Sequence, residues 1–509
     1  MTTLIVAAIR CSLMFLLPGV AYAESAQWNL NPTSGDWNTA ANWTPMGVPN
    51  GPADIATFAL SNTTNVSIST NTEVNGITFT AAATNPYTIT ASAPFTLRIS
   101  GAGITNNSGS TQHFMTPVGA NGEFGLIVFT NSATAGSSTM FTNNGGTVSG
   151  APGGSTVFHG SSTAASATLV ANGGSNGGAG GQIFFDENST GGTSRVELFG
   201  NGSLDISAHA ALGVTIGSIE GDGDAFLGVN NLTVGTNNLS TTFSGVIQHG
   251  GQGGGMGGSL TKVGTGTLEL TGANTYTGNT NVNRGVLQVD GSITSNTFVN
   301  HRGTLAGTGT GHGNVMNSDF GIVRPGGALG VPGVLTVVHN YTQTQYATLM
   351  IQIAGTNTGQ FSVLDVMGNA NLNGYLAPVL LNGFVPTIGD SFIFLNYASL
   401  TGEFSRIRNQ VFDNGMLQWS VTYQNTYAVL TVEPNTIPDQ GSTLLLLTLG
   451  LLGLLMYRRQ SLRGRPRALR ALSLGNNRRQ SHQSRLGLCR NCGFPRCDRF
   501  QNFPHVCTD

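Results

Sequence analysis

The stretch "GSLTKVGTGTLELTGANTYTGNTNVNRGVLQVDG", Gly258 to Gly291, decides the fold. Glycine, threonine and asparagine recur at short intervals, with single leucines and valines between them. Aligned on Gly, any residue, then Leu or Val, the pattern falls at Gly266, Gly285, Gly303 and Gly321, at intervals of 19, 18 and 18 residues. A constant short period signifies a solenoid, in which each repeat buries its apolar face only by stacking on its neighbours. Extended chain rises about 3.3 Å per residue, so one period traces roughly 60 Å, enough for three short strands and their corners. Leu268 and Leu270 are expected to point inward with Thr267 and Glu269 outward, and Leu287 and Val289 to repeat that alternation around Gln288. Glycine supplies the corners, while Asn and Thr are placed on the outside.

The expected fold class is therefore all-β: a right-handed parallel β-helix with N- and C-terminal caps, plus one C-terminal hydrophobic anchor helix. Composition agrees, with only 9% charged residues and 73 glycines among 509. The body from Glu24 to Tyr457 holds 8 basic and 21 acidic residues, which argues against nucleic acid as a partner. It holds no cysteine, so its stability rests on packing and hydrogen bonds.

Outward from the repeat, the chain divides into residues 1–23 as a signal peptide, 24–75 as an N-terminal cap with Trp28, Trp37 and Trp43, 76–340 as the β-helix, and 341–432 as a C-terminal β region. The leader carries Arg10, an apolar run and small residues at Ala21 and Ala23, the layout of a secretory signal cleaved after "AYA". Export through the general secretion machinery follows. Near the other end, residues 433–459 contain an apolar run, with a membrane helix expected over 442–457. Arg458 and Arg459 close it and predict a cytoplasmic C-terminal side.

"LTKVGTGTLELTGANTYTGNTNVNRGVLQV" resembles the autotransporter-associated β-strand repeat, over residues 259–290. Leu260, Lys262, Gly264, Gly266, Leu268, Asn274, Tyr276, Gly278, Gly285 and Leu287 match its form. The resemblance implies a passenger-like β-helix and no particular reaction. The barrel of about 12 strands that would secrete an autotransporter passenger is not found, so another machine is expected to move this chain. The segment "IPDQGSTLLLLTLGLLGLLMYRR" resembles PEP-CTERM sorting signals of the Val-Pro-Asp-Ser-Gly variety. Pro438, Asp439 and Gly441 match, with Ile437 for Val and Gln440 for Ser. That resemblance implies an exosortase-type enzyme as a partner, and an inner-membrane precursor later released to the envelope, outer surface or matrix. Residues 460–509, rich in arginine and bearing Cys489, Cys492, Cys497 and Cys507, depart from the pattern. They read as a genuine tail or as translation past a natural stop.

Motifs for chemistry are weak. "GGSNG", Gly173 to Gly177, lacks the strand-to-helix elbow that would make Ser175 a nucleophile. "GGQGGGMGGS" has phosphate-loop spacing without the Lys and reads as a flexible corner. Glu220, Asp222 and Asp224 offer carboxylates for a hard cation but match no calcium loop, and the four tail cysteines match no zinc knuckle. No cofactor, no metal and no catalytic residue is expected. The leading reading is a non-enzymatic exported scaffold or adhesin, with extracellular polysaccharide as a ligand. The rival is a carbohydrate-active β-helix enzyme, which requires charged residues gathered in one lateral groove.

Overall fold

The computed structural model describes residues 24–210, 213–436 and 440–461, the side chains of the last segment over 446–459. Two units separate at Thr436. The first is a parallel β-helix, whose strands form sheets of 11, 15 and 16 members.

Register shows the coil directly. Along the 15-stranded sheet Leu268 pairs with Leu287, Leu287 with Leu305 and Leu305 with Val323, so the period of the glycine pattern is the length of one turn of the helix. All four side chains are buried, as are Leu270 and Val289. Upstream turns are longer: on the same sheet Phe114 pairs with Phe141, Phe141 with Leu169 and Leu169 with Val196. The 11-stranded sheet stops at Val246–Gln248. A narrow ladder starting at Ala273–Asn274 begins where it ends, and the Thr275 N–H donates to the Ile247 carbonyl at 3.0 Å. The long strand Val363–Leu372 gathers that ladder and its neighbour, pairing with Val334–Val337 at one end and with Tyr341 and Thr342 at the other. Antiparallel strands Leu417–Tyr423 and Tyr427–Pro434 then follow on Ser391–Gly402.

The core is a file of side chains along the axis. Trp28, Trp37 and Trp43 are buried around Phe58, and each indole N–H has a carbonyl acceptor, of Thr63, Pro49 and Trp37 respectively. Phe129, Phe158 and Phe185 then stack face to face with centroids 4.9 Å apart at each step. On the outside an asparagine ladder climbs four coils: Asn296 Oδ1 accepts from the Asn314 N–H, Asn314 Oδ1 from that of Asn340, and Asn340 Oδ1 from that of Asn369.

Three polar repeat residues are buried, and the first departs from the expectation that Asn lies outside. Asn274 is buried: its Oδ1 accepts the Ile247 N–H at 3.0 Å and its amide donates to the Gly272 and Ser292 carbonyls, so one side chain ties three coils. Tyr276 is buried too, its hydroxyl 2.6 Å from Thr280 Oγ1, which lies 2.6 Å from Ser295 Oγ. A buried polar group is tolerated only with partners, and a stacked corner supplies them. The third is Lys262, the single lysine of the chain. It is buried, and its ammonium donates to the carbonyls of Val263 at 2.6 Å and Arg284 at 3.4 Å.

Burial pulls the Lys262 ammonium down to about 8. An unfolded lysine titrates near 10.4. Between those values the unfolded chain holds a proton that the folded chain has released, so stability rises with pH across that window and carries the full burial penalty below it. The stability of wild type relative to Lys262→Met is therefore expected to increase from pH 7 to pH 9.5, by at most about 2 kcal/mol. Paired denaturant titrations at the two pH values test this, and a flat difference would exclude it.

The second unit is described over one helix, Gln440–Ser461. From Leu446 to Tyr457 its large apolar side chains are exposed. Among the described residues no helix is long and apolar enough to cross a membrane.

Candidate functional site

On the outer face of the 15-stranded sheet one column of residues runs across the coils. Glu197 pairs with Glu220; beyond the next rung, Thr242 pairs with Glu269 and Glu269 with Gln288. Glu197, Glu269 and Gln288 each stand between inward-facing apolar neighbours, as in Val196-Glu197-Leu198 and Leu268-Glu269-Leu270, so strand alternation points them outward. Successive rungs lie about 4.8 Å apart. The column lines a groove of about 470 Å³ with Arg195 and Phe199 at one end and Gln288 at the other.

Like charges on neighbouring rungs repel, and the groove answers this with donors. The Arg195 guanidinium reaches Glu197 at 3.1 Å and also bridges to Glu220. Hydrogen bonding to Glu220 holds that guanidinium above its ordinary value. Burial pushes the Glu197 carboxyl up, against the pull of Arg195. Farther along, Thr242 Oγ1 donates to Glu269 at 2.5 Å and Gln288 Nε2 donates to Glu269 at 3.0 Å and to Asp290 at 2.6 Å. Burial would raise the Asp290 carboxyl, but donation from Gln288 and Thr308 outweighs it and the value lies below the usual range. The groove can therefore offer acceptors and one exposed aromatic face to a hydroxyl-rich ligand.

The residues singled out from sequence fall elsewhere. Repeat positions Leu260, Leu268, Leu287 and Tyr276 are core, and Gly264, Gly266, Gly278 and Gly285 approach carbonyls of the preceding coil. Ala21, Ala23, Pro438, Asp439 and the tail cysteines lie outside the described residues; Gly441, Arg458 and Arg459 are in the terminal helix. The acids of "EGDGDAF" part company: Glu220 turns to Arg195, Asp222 accepts the Gly200 N–H and Asp224 accepts from Gln248. Among the described residues no three His, Cys, Asp or Glu side chains are grouped to hold a metal ion. Ser175 sits in a turn between strands. The glycine-rich loop after Gln248 is tied down, contrary to the flexible corner expected. The Gln252 N–H donates to Asp205 Oδ2 and the Gly253 N–H to Ser207 Oγ, each at 2.7 Å. Asp205 and Ser207, both buried, lie two coils earlier, where sequence spacing gives no hint of the contact.

Comparison with known proteins bears on the repeat and the terminus. Residues 260–289 match the passenger-associated transport repeat, and residues 437–461 match the VPDSG-CTERM motif. A stretch of 78 residues is 49% identical to an extracellular serine protease of Serratia marcescens, covering 15% of this chain and 7% of that protein. Another of 110 residues is 38% identical to the adhesin BmaC autotransporter of Brucella suis biovar 1 (strain 1330), covering 21% of this chain and 3% of that one. The chain thus spans less than a tenth of the length of the curated relatives it matches. With a passenger repeat built into successive coils of a parallel β-helix, and a C-terminal sorting motif after it, the chain is an exported, passenger-like protein.

Proposed function

We propose that this protein is a non-enzymatic scaffold with adhesin-like contacts, working in the cell envelope or extracellular matrix. The observation that carries the reading is the passenger repeat at 260–289, which runs without interruption from one coil into the next in a stack whose core is apolar and whose faces are Thr, Ser and Asn. Such faces suit weak contacts multiplied along a rod. An exosortase-type enzyme processes the C-terminal signal, and the exposed apolar side chains from Leu446 to Tyr457 hold the precursor against the inner-membrane surface after export, in place of the spanning helix expected over 442–457. The similarity to part of an adhesin supports this reading.

The groove favours a second reading, because the rival enzyme required gathered charges and Glu197, Glu220, Glu269 and Arg195 are gathered. Glycoside hydrolysis uses two carboxylates, one kept protonated and one ionised. Here every glutamate already has a strong donor, which suits a surface braced against its own charge better than a free acid and base.

One experiment separates the two. The full chain is incubated with a panel of polysaccharides and whole cells, and both retention and reducing-sugar release are followed. The scaffold reading expects retention without release, unchanged in Glu220→Gln. Release that falls at least a hundredfold in Glu220→Gln or Glu269→Gln would replace it with the enzyme.

A further inference from the structure

The body is acidic, but its cations are not evenly spread. Of its eight basic residues Lys262 and Arg324 are buried, and Arg195 is engaged by two glutamates. Four of the other five, Arg284, Arg302, Arg406 and Arg408, are exposed along the last six strands of one sheet. The stacking is explicit at the corner before each strand. The N–H of Thr304 bonds the Gly285 carbonyl, that of Ile322 bonds Gly303, and that of Thr348 bonds Gly321. The residues just ahead of these glycines and of Ala347 are Arg284, Arg302, Phe320 and Tyr346, which therefore form one column on successive coils. All four are exposed.

Two features of this column are unusual for a solvated corner. Phe320 and Tyr346 lie stacked with centroids 5.3 Å apart and planes at 20°, though both rings are about half exposed. Phe320 and Arg302 also hold φ values of 65° and 69°, a left-handed conformation that a bulky residue adopts at a cost of about 1 to 2 kcal/mol. Glycine occupies such positions elsewhere in the rod, as at Gly264 and Gly285. One rung on, the Arg408 guanidinium covers the Tyr375 ring at 4.3 Å, and Arg406 stands beside it in register with Tyr375. Among the described residues no ion pair engages these four arginines. The acids on the neighbouring turns are Asp319 and Glu403.

We infer that this flank binds an anionic polysaccharide, a uronate-bearing chain laid along the rod axis. Exposed aromatic faces pack against the apolar faces of sugar rings, and guanidinium forks take carboxylates in two parallel hydrogen bonds. The rung spacing of about 4.8 Å brings one side chain to each sugar along the strip. A denser polyanion is disfavoured, because nucleic acid needs many clustered cations and the body carries an excess of acids. The inference rests on the adhesin-like reading and names its ligand class.

The test uses the full chain on immobilised polygalacturonate, with neutral dextran and double-stranded DNA as the other arms. Wild type is expected to be retained on polygalacturonate at low salt, eluted as salt rises, and not held by dextran. Arg284→Gln with Arg302→Gln should weaken retention at least tenfold and flatten its salt dependence. Phe320→Asn with Tyr346→Ser should weaken it similarly and leave the salt dependence. Asparagine tolerates a positive φ, so the second pair should keep the unfolding temperature of wild type. Retention unchanged in both pairs, equal retention on dextran, or binding to DNA alone would each overturn the inference. Adhesion to whole cells that persists without uronate binding removes this ligand class and leaves the scaffold reading; loss of both removes both.

Discussion

Replacing Gly264 by alanine should cost about 4 kcal/mol and open the coil around it, while the same change at Gly254 should cost about 1. Both glycines sit at φ +68°. A Cβ on Gly264 would lie 1.8 Å from the Gly235 carbonyl oxygen of the preceding coil, whereas one on Gly254 meets nothing within 4 Å. The pair therefore separates the strain of a left-handed corner from overlap between backbones, which no side-chain rotation relieves. A solenoid unfolds locally, so hydrogen exchange over residues 259–290 is the measurement of choice, with denaturant midpoints beside it. Equal losses of protection in the two variants would show that corner strain alone governs.

The second large effect lies upstream. Phe158→Ala should destabilise the long coils by about 3 to 5 kcal/mol. Phe158 is wholly buried with a ring stacked on either side, so truncation leaves a gap that neither neighbouring coil can fill without sliding along its sheet. Phe158→Leu should recover most of the loss, and Phe199→Ala, at an exposed position, should change unfolding by less than about 0.5 kcal/mol. A Phe158→Ala protein as stable as the Phe199→Ala protein would mean that the file of rings is not what holds the coils.

Much of the fold was legible because the sequence repeats what the structure repeats. From Leu268 to Val323 each turn of the helix is a near copy of the last, so a fixed spacing in the chain is a fixed spacing along the axis. Earlier turns are longer and irregular, and their inward positions cannot be aligned without knowing where each corner falls. That also hid the groove. Glu197, Glu220 and Glu269 are far apart in the chain, and only coil lengths bring them into one column. A usable trace was present, an acid or amide flanked by apolar residues in "RVEL", "TLEL" and "VLQV", which marks an outward position on a buried strand. Asn274 was misjudged for a different reason. Polarity argues for the surface only where the interior has no partners to offer, and a stack of corners is lined with carbonyls.

The position of Lys262 has a further consequence. Its Nζ is spent inside a corner, so the described surface presents no lysine amine to solvent. Trypsin-like enzymes find only arginines there, and acylating, glycating or amide-forming chemistry directed at lysine has no purchase until that corner opens. Outside a cell such a rod offers lysine-directed chemistry no target on its described surface, and amine labelling of Lys262 would report the opening of the repeat alone.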